Sequence, residues 1–264
     1  MITAGIDLGS TYVKAVVLVD GAVKGHGVLP TGPDHDATAR VALSEALKEA
    51  GLEMPAVEHI VSTGYGRRVT SLTKDTISEI SANAEGTRFV ASKLNVRTIL
   101  DIGGQDTKAI SLDDRLNIES FVMNDKCAAG TGRFIEALSA VMGVTIDDMG
   151  RLSLLSKNPL RITSTCTVFA RSEVVTLIAE GKPREDIIAG IHEALAKRLA
   201  TMARKIGVRK EVFFDGGPAR NIGMRKALES ELGVTLVVPE RPQTVTATGA
   251  AVLAARKLEK EGKH

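Results

Sequence analysis

The sequence predicts an α/β protein assembled from two similarly built halves. Strand-like and helix-like segments are interleaved along the whole chain, which favours mixed layers over a bundle or a sandwich. One strand–turn–strand pattern also occurs twice. Its first copy is Ile6-Asp7-Leu8-Gly9-Ser10-Thr11, and its second is Leu100-Asp101-Ile102-Gly103-Gly104-Gln105-Asp106-Thr107-Lys108. Asp7 and Asp101 fall at equivalent positions. A single copy reads as an ordinary hairpin turn, whereas two copies in register argue for duplication.

The elements follow in order. Residues 2–8 and 13–19 read as a hairpin around Gly9-Ser10-Thr11, and Asp20-Gly21 signals a second hairpin turn. Residues 37–50 carry Ala, Val and Leu at helical spacing and stop at Gly51. Residues 59–63 form a short apolar strand, and 78–94 read as a helix. After the second strand–turn–strand, Cys127-Ala128-Ala129-Gly130-Thr131-Gly132 opens a helical run to about residue 142, and Thr165-Cys166-Thr167 opens another to about residue 180. Pro183 starts a long helix to about residue 206, with Glu185 and Asp186 in its first turn and Gly207 beyond its end. A strand at 211–214 runs into Asp215-Gly216-Gly217-Pro218. A helix at 220–232, a strand at 234–238 and a helix at 245–260 close the chain.

Bulk properties exclude several classes. The 264 residues suffice for one large or two medium domains, and 44% hydrophobic with 25% charged residues is ordinary for a soluble chain. A net charge of +2, with no Lys/Arg run, does not suit a nucleic-acid partner. Aromatics at 3% and no Trp leave few stacking platforms for single strands. The apolar stretches are short and interrupted, so no membrane span is expected. No secretory signal is visible at the start, and the chain reads as cytoplasmic.

Three Gly-rich turns carry anion-binding chemistry. In Asp7–Thr11 and in 101–105 the glycines let backbone N–H groups approach an anion closely. Asp215-Gly216-Gly217-Pro218-Ala219-Arg220-Asn221 runs from a strand into a helix N-terminus, another anion-favouring geometry. The Gly-x-x-x-x-Gly-Lys-Ser/Thr pattern of a P-loop is absent. Each loop alone is most simply a turn; together, in this order and with the duplication, they point to a nucleotide.

The three loops resemble those of the actin/sugar-kinase/heat-shock-chaperone ATPase superfamily. That resemblance implies a duplicated ribonuclease-H-like fold with two domains around a nucleotide cleft. The expected domains are residues 1–94, with a C-terminal helix at 246–264 packing back on them, and residues 95–245. It implies that Gly9, Ser10 and Thr11 contact the β- and γ-phosphates of ATP or ADP, with Lys14 in reach of a phosphate. Gly103, Gly104 and Gln105 would face them, and Gly216, Gly217, Pro218, Asn221 and Gln243 would bind the nucleoside side. Asp7 and Asp101 would hold Mg²⁺ through waters, and Gln105 would orient the attacking water by analogy of role.

Cys127 and Cys166 are the only cysteines. Two unrelated thiols are the simplest reading, and two thiols cannot complete a four-thiolate metal site. Their surroundings carry a narrower resemblance. Asn124-Asp125-Lys126-Cys127-Ala128-Ala129-Gly130-Thr131-Gly132-Arg133-Phe134, Thr165-Cys166-Thr167-Val168-Phe169-Ala170 and Ser62-Thr63-Gly64-Tyr65-Gly66-Arg67 are similar to segments of the BadF/BadG/BcrA/BcrD group. This group comprises activators of 2-hydroxyacyl-CoA dehydratases and ATPase subunits of benzoyl-CoA reductases. Arg171 departs from the pattern, standing where an acidic residue is expected, which bears on the docking partner.

The resemblance implies a homodimer in which Cys127 and Cys166 of both subunits hold one [4Fe–4S] cluster, with zinc as the alternative occupant. It implies an ATP-hydrolysing activator that takes electrons from ferredoxin or flavodoxin and passes them to an iron–sulfur dehydratase or reductase. The ATPase subunit of a benzoyl-CoA reductase is the alternative within the group. A sugar kinase would need a sugar pocket, and a filament or chaperone module would need more chain.

Overall fold

A computed structural model describes residues 1–124, 127–163 and 166–261. The chain divides into two compact units. The first comprises Met1–Val96, Asp114–Ile118 and the chain from Pro239 onward; the second comprises Arg97–Asp113 and Glu119–Val238.

The first unit is a four-stranded sheet in the order β3-β2-β1-β4, formed by β1 (Ile2–Leu8), β2 (Tyr12–Val19), β3 (Ala22–Pro30) and β4 (His59–Thr63). Strands β1 to β3 are an antiparallel meander, and β4 runs parallel to β1. Alternation along β1 and β2 decides what covers each face. Ala4, Ile6, Leu8, Val13, Ala15 and Val17 form one core with Ala39, Ala42 and Leu43 of α1 (His35–Ala50). The opposite parity, Val16 and Leu18, packs on Ala247 and Ala251 of α8 (Val245–Glu261). Small residues set this spacing: a Cβ on Gly5 would run into the Ala247 carbonyl, and one on Gly27 into the Ala42 carbonyl. Helix α1 is capped by Asp34, whose carboxylate accepts from the Ala37 N–H at 2.9 Å, and it ends at Gly51 with φ 68°. Helix α2 (Glu79–Val90) packs beside α8.

The second unit repeats the plan. Its sheet has the order β7-β6-β5-β8-β9, from β5 (Thr98–Ile102), β6 (Thr107–Leu112), β7 (Ile118–Asn124), β8 (Val212–Gly216) and β9 (Leu236–Val237). β5 is antiparallel to β6 and parallel to β8, as β1 is to β2 and β4. Asp7 pairs with Lys14 across one hairpin, and Asp101 with Lys108 across the other. Between β7 and β8 lie α3 (Gly132–Met142), α4 (Ile146–Ser153), α5 (Thr167–Ala179) and α6 (Arg184–Arg204); α7 (Ile222–Leu232) follows β8. Leu100 and Ile102 of β5 and Phe214 of β8 join Phe134, Leu138, Ile187, Ile191 and Leu228 in one core.

Most expected elements are present, with five differences, one of them the strand expected at 234–238, which spans only Leu236–Val237. Strand β7 and helix α4 had not been anticipated. Helix α2 stops at Val90, four residues before the expected end at 94, because Ala91–Leu94 closes as a turn through the Leu94 N–H to Ala91 carbonyl bond. The run expected to begin at Cys127 is interrupted: Ala128–Gly130 is one 3₁₀ turn, and α3 begins only at Gly132. Among the described residues, no helix is long and apolar enough to cross a membrane.

Candidate functional site

In the first unit the loop between β1 and β2 closes through the Gly9 N–H to Tyr12 carbonyl bond, 3.1 Å long. A Cβ on Gly9 would sit 2.7 Å from that carbonyl and 2.9 Å from Lys14 Nζ, so the turn admits only glycine. Lys14 Nζ lies 2.9 Å from Asp7 Oδ2 in a largely buried pair. Ser10 follows at the bend, half-buried. Among the described residues the Thr11 hydroxyl is buried without a hydrogen-bond partner, and so is that of Thr63, which pairs with Asp7 across β1 and β4. Unsatisfied hydroxyls beside an open turn suit an acceptor such as a phosphate oxygen.

The Ser62–Arg67 segment packs against this loop. The Gly66 N–H donates to the Leu8 carbonyl at 2.9 Å, and Gly64, at φ 93°, lies where a Cβ would be 2.7 Å from Asp7 Oδ1. Gln243 also belongs to the first unit, half-buried in the turn Pro242–Thr244 ahead of α8.

The second unit gathers the other two loops. The Gly103 N–H bonds to the Asp106 carbonyl at 2.9 Å, leaving Gln105 exposed at the tip. Lys108, only 3% exposed, lies 2.8 Å from Asp106 Oδ2 and 3.5 Å from Asp101 Oδ2. Asp101 therefore shares its lysine, whereas Asp7 faces Lys14 directly. Register pairs Ile102 with Gly216, and Gly216 adopts φ 85° with any Cβ blocked by the Ile102 carbonyl. Gly217 and buried Pro218 begin the following 3₁₀ turn. The start of α3 meets both loops. The Gly132 N–H donates to the Gly103 carbonyl at 2.8 Å and the Arg133 N–H to the Gly104 carbonyl at 3.1 Å. A Cβ on Gly132 would lie 3.4 Å from Pro218 Cγ.

Asn221 stands apart from this cluster of glycines. It is 1% exposed and caps α7: its Oδ1 accepts from the Met224 N–H at 2.9 Å, and its Nδ2 donates to the Ile146 carbonyl at 3.1 Å. The same Nδ2 meets His192 Nε2 at 3.2 Å. Because Oδ1 is committed as an acceptor, Nδ2 must donate, and the network assigns the proton of neutral His192 to Nδ1. Burial pushes the His192 pKa down to about 4.

Cys127 and Cys166 are both free and exposed, and both belong to the second unit. Cys166 occupies the N-cap position of the 13-residue helix α5, beside its positive end, without a side-chain capping bond. Cys127 heads the Ala128–Gly130 turn, where its carbonyl accepts from Asn124 Nδ2 at 3.0 Å. Asp125, Lys126 and Thr165, which belong to the cysteine motifs, lie outside the described residues. Among the described residues no group of three or more His, Cys, Asp or Glu side chains is placed to hold a metal ion. Two accessible soft thiols fit half of an iron–sulfur ligand set. Beside Cys166, Val168 and Phe169 are each 68% exposed, an apolar surface on α5.

Three site-lining residues escaped the reading of the sequence. Lys108 was signalled by spacing, since a lysine follows each duplicated aspartate by the same seven positions, whereas Asp106 had no such signal. Thr63 lay inside a motif already noticed but not assigned a place.

The model of the BadF/BadG/BcrA/BcrD ATPase family matches residues 4–254. The chain belongs to this ATPase family. It is 40% identical over 268 residues to the 2-hydroxyisocaproyl-CoA dehydratase activator of Clostridioides difficile, covering 100% of both chains. It is 32% identical over 272 residues to a subunit of the benzoyl-CoA reductase of Thauera aromatica, covering 98% of this chain and 95% of that one. The solved activator of the 2-hydroxyisocaproyl-CoA dehydratase from Clostridium difficile, with bound ADPNP, aligns with a TM-score of 0.94 at 39% identity, covering 100% and 97% of the two chains. A ROK family glucokinase from Streptomyces griseus aligns with a TM-score of 0.59 at 13% identity, covering 97% and 100%, a likeness of fold alone. With the repeated sheet order, these likenesses make the fold the duplicated ribonuclease-H-like one expected from the loops.

Proposed function

We propose that this member of the ATPase family is an ATP-dependent reductive activator. It acts as a homodimer holding one [4Fe–4S] cluster, hydrolyses ATP, and delivers an electron to an iron–sulfur 2-hydroxyacyl-CoA dehydratase. One observation carries the reading: two exposed thiols share a unit with two nucleotide-type loops, in a chain matched end to end by a dehydratase activator.

In this reading the Gly9–Thr11 backbone and the Thr11 hydroxyl hold the terminal phosphates, and Lys14 offsets their charge. Asp7 and Asp101 hold hydrated Mg²⁺, Gly104 presents its N–H from the turn that Gly103 closes, and exposed Gln105 orients the attacking water. Gly216, Gly217 and Pro218 bound the nucleoside. Asn221 acts from behind them as the cap of α7, and Gln243 contributes from the first unit. The cluster, when bound, supplies a one-electron carrier, fed by ferredoxin or flavodoxin.

Hydrogen bonds within the second unit support a route from nucleotide state to cysteine. The Thr107 hydroxyl donates to the Gly130 carbonyl at 2.6 Å, beside the Gly132–Gly103 and Arg133–Gly104 bonds. A shift of the 103–106 turn therefore pulls on the turn that Cys127 heads. The apolar face of α5 beside Cys166 supports burial against a second copy. A benzoyl-CoA reductase component is the second reading, resting on the 32% relative against 40% for the dehydratase activator.

The test is reconstitution. Anaerobically purified protein, a strong one-electron reductant and a 2-hydroxyacyl-CoA dehydratase should yield dehydration with ATP and none with a non-hydrolysable analogue. Activation that ignores the nucleotide would overturn the proposal. Activation of a benzoyl-CoA reductase alone would move it to the second reading.

A further inference from the structure

The two cysteines sit in unlike electrostatic settings. Cys166 has the N-terminus of α5 behind it, with the Ala170 N–H bonded back to its carbonyl at 2.9 Å. Cys127 has no comparable helix end. It heads a single 3₁₀ turn, and the first N–H groups of α3, those of Gly132 and Arg133, are already taken by the Gly103 and Gly104 carbonyls. What stands behind this cysteine is Arg198 of α6. Its guanidinium donates to the Ala129 carbonyl at 2.9 Å, within the turn that Cys127 heads. It also lies 5.0 Å from the centroid of the Phe134 ring on α3. Its side chain is about half-buried, so its charge is only partly screened.

We propose that Arg198 is the positioning residue for Cys127. Its fork clamps the Ala128–Gly130 turn onto α3, and its fixed positive charge takes the part at Cys127 that the α5 N-terminus takes at Cys166. The proposal rests on the cluster reading and deepens it. Arginine remains protonated throughout the working range. Because reduction adds negative charge to a thiolate-bound centre, a cation held beside one ligand favours the reduced form. The Phe134 face and the Ala129 carbonyl fix the guanidinium plane, which lysine cannot reproduce.

Two measurements on the full-length dimer test this. In an anaerobic redox titration followed by electron paramagnetic resonance, Arg198→Gln should make reduction about tenfold less favourable, which is about 59 mV for a one-electron couple. Arg198→Lys keeps the charge and should stay nearer to wild type. Hydrogen exchange on cluster-free protein is the second readout, and it holds whether or not a cluster assembles. In both variants the Gly130 and Thr131 amides, which close the turn onto Cys127 and Ala128, should exchange faster while α5 is unchanged. Unchanged exchange at these amides would overturn the clamp. A potential that is the same in all three proteins, or lysine behaving like glutamine, would overturn the role of the charge. A wild-type protein that never binds iron defeats the cluster reading and leaves the exchange result to decide the clamp.

Discussion

The Asp7 carboxylate meets Lys14 at 2.9 Å, while Asp101 shares buried Lys108 with Asp106. Each aspartate ends a central strand beside a Gly turn, where charge on a transferring phosphoryl group and its Mg²⁺ would develop. Asn at either site keeps the shape and removes the charge. Asp7→Asn and Asp101→Asn should each lower kcat for ATP hydrolysis by about two orders of magnitude or more. Iron content should stay at the wild-type level, since both cysteines lie outside these turns. Hydrolysis in both variants within about threefold of wild type at saturating ATP would remove the carboxylates from the mechanism. The aspartates were legible because duplication singles them out. Asp106 was not, because a third acid in a polar turn has no pattern of its own until Lys108 folds back onto it. Asn221 read as part of the nucleoside loop because it ends the Gly-Gly-Pro run; its cap of α7 is local, but its ties to α4 and α6 join segments distant in sequence.

Three helices converge on that cap. Asn221 ties the start of α7 to the Ile146 carbonyl at the start of α4 and to His192 in the middle of α6. Buried His192 gives this junction a pH signature. Its folded-state pKa is pushed from 6.5 down to about 4 by burial, so between those values the unfolded chain binds a proton that the folded chain refuses. Stability is therefore full above pH 6.5 and is lost as pH falls towards 4, by about 2 kcal/mol between pH 7 and pH 5. Urea unfolding of wild type and His192→Gln at both pH values should show that increment only in wild type. Equal losses in both proteins would contradict it. Helices with strong stop signals were readable: α1 ends at Gly51, and α6 follows Pro183 and stops short of Gly207. Helix α4 was missed because it has only eight residues, although Thr145 accepts from the Asp148 N–H in a recognisable cap. Strand β7 was missed because it is an edge strand with little buried surface, so its sequence shows no alternation to read. The break between Cys127 and α3 is set by carbonyls of the 103–104 turn, which no local pattern in 127–142 could announce.

Over the whole molecule, the repeat seen in two short turns proves to be a repeat of sheet topology, with β1 and β5 in the same place in each order. Local pattern could not assign Asp114–Ile118 to the first unit; that follows from contacts such as Arg88 Nε to the Leu116 carbonyl, 2.6 Å, which join residues far apart in sequence. Both cysteines fall in the second unit, so one chain offers two thiols where a [4Fe–4S] cluster takes four. The central claim is that two chains complete the set. It is tested most directly by counting iron, acid-labile sulfide and zinc in anaerobically purified protein of known oligomeric state, for wild type, Cys127→Ala and Cys166→Ala. The account predicts about four irons and four sulfides per wild-type dimer, no zinc, and iron near zero in either variant, which loses one ligand from each subunit. Four irons per monomer, zinc in their place, or a Cys166→Ala variant that still loads iron would contradict it.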